Sequence, residues 1–150
     1  MELKDDIIIH APQDVVYAAL NDVDILKQCI PGCEELVKHS DTELEAKVVL
    51  KVGPVKAKFS GNVTLSTDAP PARFSLAGAG NGGAAGYAKG GAQVHLEAHP
   101  EGTLLRYTAK AEIGGKLAQL GSRLIQGTAK KLAAKFFSSF AEQVGDQNAG

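Results

Sequence analysis

The chain has no tryptophan, only 5% aromatic residues, and a net charge of only -1 over 150 residues. Each scarcity excludes a class of function. Stacking on nucleobases needs aromatic platforms and gripping a phosphate backbone needs a basic excess, so a nucleic-acid role lacks both supports. No run of about 18 apolar residues occurs, so the sequence offers no helix that would cross a bilayer. The amino terminus, MELKDDIII, lacks the basic-then-apolar order of a secretory signal. Cysteine is limited to Cys29 and Cys33, which in a chain long enough to bury a core suit reduced thiols in a cytoplasm. The expectation is one cytoplasmic domain over 1–145, with 146–150 as a frayed end.

What is present divides into strands and one long helix. From Leu36 to Ile113 apolar residues alternate with polar ones, as in Leu44, Ala46, Val48, Leu50 and Val52, and the runs are broken by Gly53-Pro54, Pro70-Pro71 and Pro100-Glu101-Gly102. That pattern predicts an antiparallel meander with one wet face. A first strand at Leu3–His10 precedes two short apolar segments around Val15–Leu20 and Ile25–Ile30, which predict short helices. Between Gly114 and Val144, Leu117, Leu120, Leu124, Thr128, Leu132, Phe136 and Phe140 recur at steps of three and four. One helix is predicted there, on the order of 45 Å long at ~1.5 Å per residue. The fold class expected is α+β: a curved antiparallel sheet of about seven strands gripping a long C-terminal helix.

Motifs that could carry chemistry are weak. Gly78, Gly80 and Gly83 spell GxGxxG, but a strand pattern follows where a phosphate site needs a helix N-terminus. Glycines in this stretch instead predict a bent sheet with open volume on its inner face. His95 and His99 alternate outward, and no ligand cluster joins them. His10 and Asp5 are the candidates for an inward ionisable group, and Cys29 and Cys33 read as packed small hydrophobes. The inward positions are otherwise Ala, Val, Leu, Ile, Phe and Gly, with Tyr107 and Tyr87 as polar handles. Such walls suit a ligand cavity better than acid–base chemistry. The expected lining from the sheet and short helices is Leu26, Ile30, Phe59, Phe74, Leu76, Tyr87 and Tyr107. From the long helix it is Leu120, Leu124 and Ile125. Outside, Lys116, Arg123 and Lys130 are spaced by seven, and Lys131 and Lys135 extend them into a basic stripe fit for an anionic surface.

Four segments carry a resemblance: CIPGCEEL from Cys29, KVGPVKAKFSGNVTL from Lys51, GGAAGYAKGGA from Gly82 and GTLLRYTAKAEIGGKLAQLGSRLI from Gly102. Together they resemble the CoxG family of carbon monoxide dehydrogenase subunits, within the polyketide-cyclase/START-like group with the helix-grip fold. The resemblance implies a non-catalytic accessory protein of a molybdenum-containing hydroxylase, such as aerobic carbon monoxide dehydrogenase. It also implies a lipophilic ligand, for instance a quinone, no covalently bound cofactor, no metal, and peripheral contact with the inner face of the cytoplasmic membrane. Many relatives continue into a linker and an apolar tail that this sequence does not show after Gly150, so no built-in anchor is expected. Two alternatives stand beside this reading: a cyclase- or hydrolase-like enzyme on the same fold, and a docking module with a filled core.

Overall fold

Alternating side chains give the strands, and the proline and glycine turns end them. The computed structural model describes residues 1–149, with side chains at all of these positions except 67, 68 and 146–149. The chain runs β1 Glu2–Ile9, α1 Gln13–Leu20, α2 Val23–Cys29, β2 Cys33–Lys38, β3 Glu43–Val52 and β4 Val55–Ala69. It continues through β5 Arg73–Asn81, β6 Tyr87–His99 and β7 Gly102–Gly114 to α3 Ser122–Ala149. The strands form one 7-stranded antiparallel sheet in the order β1-β7-β6-β5-β4-β3-β2. β1 and β2 are therefore its two edges, and α1 and α2 carry the chain from one edge to the other. Pro12 caps α1 in extended conformation, and the Asp22 carboxylate accepts from the Asp24 and Ile25 amides to start α2.

The long helix differs from its sequence pattern at its start. Residues Gly115–Leu120 form a 3-10 turn, and Gly121 then takes φ 95°. That left-handed conformation is open to glycine and strained for other residues, so the helical path breaks there. The Gly121 amide closes the first turn on the Ala118 carbonyl, and its own carbonyl accepts from Ile125 to open α3. The helix thus begins at Ser122, not Gly114. The end expected to fray falls on 146–150; the backbone is helical to Ala149, the side chains of 146–149 are not described, and Gly150 lies outside the described residues.

The core is concentrated at one end of the grip. Phe140 and Val144 from the C-terminal half of α3 are fully buried together with Ile9, Val16 and Leu105. Phe74, Leu65 and Leu96 from the sheet and Leu20 and Leu26 from the short helices complete it. Thr103, the one buried polar residue among those described, donates its hydroxyl to the Ala11 carbonyl at 2.7 Å, so neither group is left unpaired. The other half of α3 covers something less solid.

Candidate functional site

Between the N-terminal half of α3 and the inner face of the sheet lies a cavity of about 600 Å³. From α3 it takes Ile125, Thr128, Ala129, Leu132 and Phe136. The sheet supplies Ala46, Val48 and Leu50 of β3, Phe59 and Val63 of β4, Leu76 of β5, and Ala109, Ala111 and Ile113 of β7. Ile30 and Pro31 close it beside α2, and Leu117 does so from the 3-10 turn. Gly78, Gly80 and Gly90 contribute bare backbone where side chains would fill the space. At Gly90 a Cβ would collide with the Lys110 carbonyl oxygen, so glycine there permits the close approach of β6 and β7.

The walls are hydrocarbon with few polar groups. Thr128 is the polar side chain on the α3 face that covers the cavity. Lys89 and Lys110 border the space, but their ammonium groups lie 3.3 Å from Glu112 and 4.0 Å from Glu2, at side chains mostly exposed. A volume of this size with such walls suits an apolar molecule. A charged or strongly hydrogen-bonding molecule would lose its water there without replacement.

Of the residues expected to line a cavity, the structure brings Ile30, Phe59, Leu76 and Ile125 together. The others lie elsewhere. Leu26 and Phe74 belong to the solid core, where Phe74 meets Tyr17 edge to face at 6.2 Å. Tyr87 shares the outward phase of β6 and is 49% exposed, its ring covering Gly114 on the outside. Leu120 sits in the 3-10 turn and does not line the cavity. Leu124 is 39% exposed and packs on Gly53 at the β3–β4 turn. Tyr107 faces inward but into a neighbouring groove, stacked on Phe137 at 4.8 Å with 22° between the rings.

The reason for the wrong phase is helical arithmetic. Steps of four residues drift by ~40° each at ~100° per residue, so Leu124 stands ~80° round α3 from Leu132 and misses the wall, while Thr128, Leu132 and Phe136 reach the cavity and Phe140 the core. The wall that faces the cavity follows steps of four, three and four through Ile125, Ala129, Leu132 and Phe136. Sequence reading missed Ala129, Ala109, Ala111, Val48 and Leu50 as liners. For the four strand residues the signal was a small or branched side chain at inward phase; Ala129 carried only its place one turn after Ile125 on α3.

The remaining candidates spread over the surface. His10 is exposed and its Nδ1 donates to the Glu101 carbonyl at 3.1 Å, away from the cavity. His39 sits 2.8 Å from a Glu45 oxygen, and His99 accepts from the Glu101 amide. Among the described residues no cluster of His, Cys, Asp and Glu could hold a metal. Burial pushes the Cys29 thiol up, and the same effect on Cys33 is opposed by the positive charge of Lys27 and by a backbone hydrogen bond at Glu35. Both stay protonated, as inert small hydrophobes. Arg123, Lys130, Lys131 and Lys135 are exposed on α3, whereas Lys116 lies in the 3-10 turn before the break. The spacing of seven therefore does not make Lys116 part of one helical stripe. No helix among the described residues is long and apolar enough to cross a membrane.

A curved antiparallel sheet gripping one long helix over an apolar cavity defines a helix-grip domain. A conserved protein from Geobacillus kaustophilus shares this fold at a TM-score of 0.90 and 28% identity, covering 97% of this chain and 96% of that one. The Zhui aromatase/cyclase from Streptomyces sp. R1128 matches at a TM-score of 0.65 and 12% identity, over 96% and 93% of the two chains, which shows the fold alone. No curated protein matches the chain. The family model for carbon monoxide dehydrogenase subunits of the CoxG type matches residues 6–145, and the chain belongs to that CoxG family.

Proposed function

We propose that this chain is a non-catalytic accessory protein of a molybdenum-containing hydroxylase of the carbon monoxide dehydrogenase type. It holds a lipophile such as a quinone in the cavity under α3 and helps the enzyme associate with the inner face of the cytoplasmic membrane. The observation that carries this reading is the hydrocarbon wall of the 600 Å³ cavity. It offers binding to an apolar chain and almost nothing to proton transfer. Family membership supports the choice of enzyme served. The test is titration with a long-chain quinone, read by quenching of the fluorescence of the three tyrosines. Saturable quenching with no conversion of the quinone is expected, and absence of binding overturns the reading.

A cyclase-like activity on the same fold is the second reading, favoured by Asp5 and Tyr107 facing one groove beside α3. It predicts covalent change in the bound molecule, where the accessory reading predicts its recovery intact.

Membrane association would use the basic outer face of α3. Near an anionic bilayer each Lys or Arg is worth ~1 kcal/mol, so reversing Arg123, Lys131 and Lys135 to Glu should weaken partition on the order of 100-fold. Cosedimentation with phosphatidylserine vesicles is expected to fall for the triple variant. High salt should lower it likewise for the unaltered chain, because exposed charges are screened. Equal sedimentation of the variant and the unaltered chain would mark these cations as an ordinary wet surface.

A further inference from the structure

Beside the cavity, β1 and α3 form a separate groove of about 740 Å³. Its α3 flank is Gln126, Lys130, Ala133, Phe137 and Ala141. These positions are the cavity-facing series advanced by one residue, so they lie ~100° further round the helix. β1 contributes Leu3, Asp5 and Ile7, and Tyr107 comes from β7. Two observations join the groove to the cavity. Ala133 lines both, and Leu3 of the groove pairs in the sheet with Ala109 of the cavity wall.

The two compartments differ in chemistry. Hydrogen-bonding side chains are scarce around the cavity and gather in the groove. Gln126 is already committed, donating to the Glu2 carbonyl at 3.0 Å and tying α3 to the edge strand. The Tyr107 hydroxyl and the Lys130 ammonium, by contrast, have no protein partner among the described residues. Burial and the negative charge of Asp5 opposite it push the Tyr107 hydroxyl up, so it remains a donor. Asp5 lines the groove and accepts from the Asp6 amide at 2.8 Å through one oxygen, while the other has no protein partner among the described residues. An ionised carboxylate accepts hydrogen bonds and donates none. The stacked Tyr107–Phe137 pair adds aromatic surface beside these groups.

We propose that this groove receives the head group of the cavity's cargo and prefers a hydroxylated aromatic ring, a quinol, over the corresponding quinone. The proposal rests on the lipophile-binding reading above. The hydrocarbon chain lies in the cavity, passes Ala133, and leaves the ring against Tyr107 and Phe137. Lys130 and Tyr107 donate to a ring oxygen in either redox form. Asp5 distinguishes the forms: a quinol hydroxyl donates to it, whereas a quinone carbonyl sets acceptor against acceptor. Glu2, the other carboxylate on the groove, is already paired with Lys4 at 3.3 Å and Lys110 at 4.0 Å, so selectivity resides in Asp5 at the edge of the sheet.

The experiment is anaerobic calorimetric titration of the full chain with a decyl-substituted benzoquinone, its quinol, and dodecanol as a ring-less probe. The quinol should bind about tenfold tighter than the quinone, the worth of one charge-assisted hydrogen bond in an open groove. A tenfold preference also raises the midpoint potential of the bound pair by ~30 mV. Asp5→Asn keeps the shape and should bring the ratio to about one with dodecanol binding unchanged. Lys130→Met should weaken both ring forms alike. If dodecanol binds while the unaltered chain shows no preference, or Asp5→Asn keeps it, the groove does not hold the head group and the proposal is overturned. If none of the three probes binds the unaltered chain, the lipophile reading fails and this one with it.

Discussion

Replacing Ala129 by tryptophan is expected to lower affinity for a long-chain quinone at least 100-fold without loss of stability. Ala129 stands on the α3 face that covers the cavity, between Ile125 and Leu132, with Ala109 and Ala111 among the residues across the space. Enlarging a packed core residue costs about 1–3 kcal/mol through strain. Here the new ring enters about 600 Å³ of open volume instead, so the thermal midpoint should hold or rise. Because the ring occupies the place of the ligand's chain, the loss should appear in affinity and leave the fold intact. Leu124→Trp is the control. Its side chain lies at the surface beside Gly53, so quinone binding should stay within twofold of the original. Equal binding by the Ala129 variant would place the ligand outside this cavity.

A second large effect is expected in stability. Phe140→Ala removes a side chain with 0% exposure from the centre of the core, where it stacks on Phe136 at 5.8 Å. Such deletions cost about 3–5 kcal/mol, because lost transfer energy is joined by an unfilled void. At about 2–4 °C per kcal/mol for a domain of this size, the thermal midpoint should fall by roughly 10 °C. Phe136→Ala makes the same chemical change one turn earlier, where the ring is half-buried and already borders open volume. It leaves no new isolated void and should cost under about 2 kcal/mol. Denaturant titration of the two variants measures the difference. Similar losses would mean that the whole of α3 rests on a continuous solid core.

Much of the architecture was legible because a period of two assigns each strand residue to a face within a few positions, and turn residues mark where each run ends. The turn signals at Gly53-Pro54 and Pro100-Gly102 fall where the strands end, and β3 keeps its inward face as read from Leu44 to Val52. The α3 face was harder. A break at one glycine reset the helical phase, so Leu120 and Leu124 at the start of the series miss the cavity, while Leu132, Phe136 and Phe140 further along it do face inward. Tyr87 was misplaced for another reason, since β6 alternation through Val94 and Leu96 already put odd positions outside. Its aromatic character outweighed its phase. Tyr107 was rightly read as inward, but no one-dimensional pattern shows that the inner face is divided between a cavity and a groove. That division depends on how far α3 stands from the edge strand.

The partition of α3 into a half that packs and a half that spans open space has a thermodynamic consequence. Its C-terminal half shares the fate of the whole domain, because Phe140 and Val144 cannot leave without dismantling the core. The turns from Ile125 to Phe136 have fewer apolar partners while the cavity is empty, so they can open at a lower free energy than the molecule as a whole. A cargo molecule supplies the missing contacts and, by mass action, deepens that shallow part of the landscape. The domain therefore gains rigidity from its ligand where the ligand sits, and a loaded and an empty molecule differ most in the local stability of one helical segment.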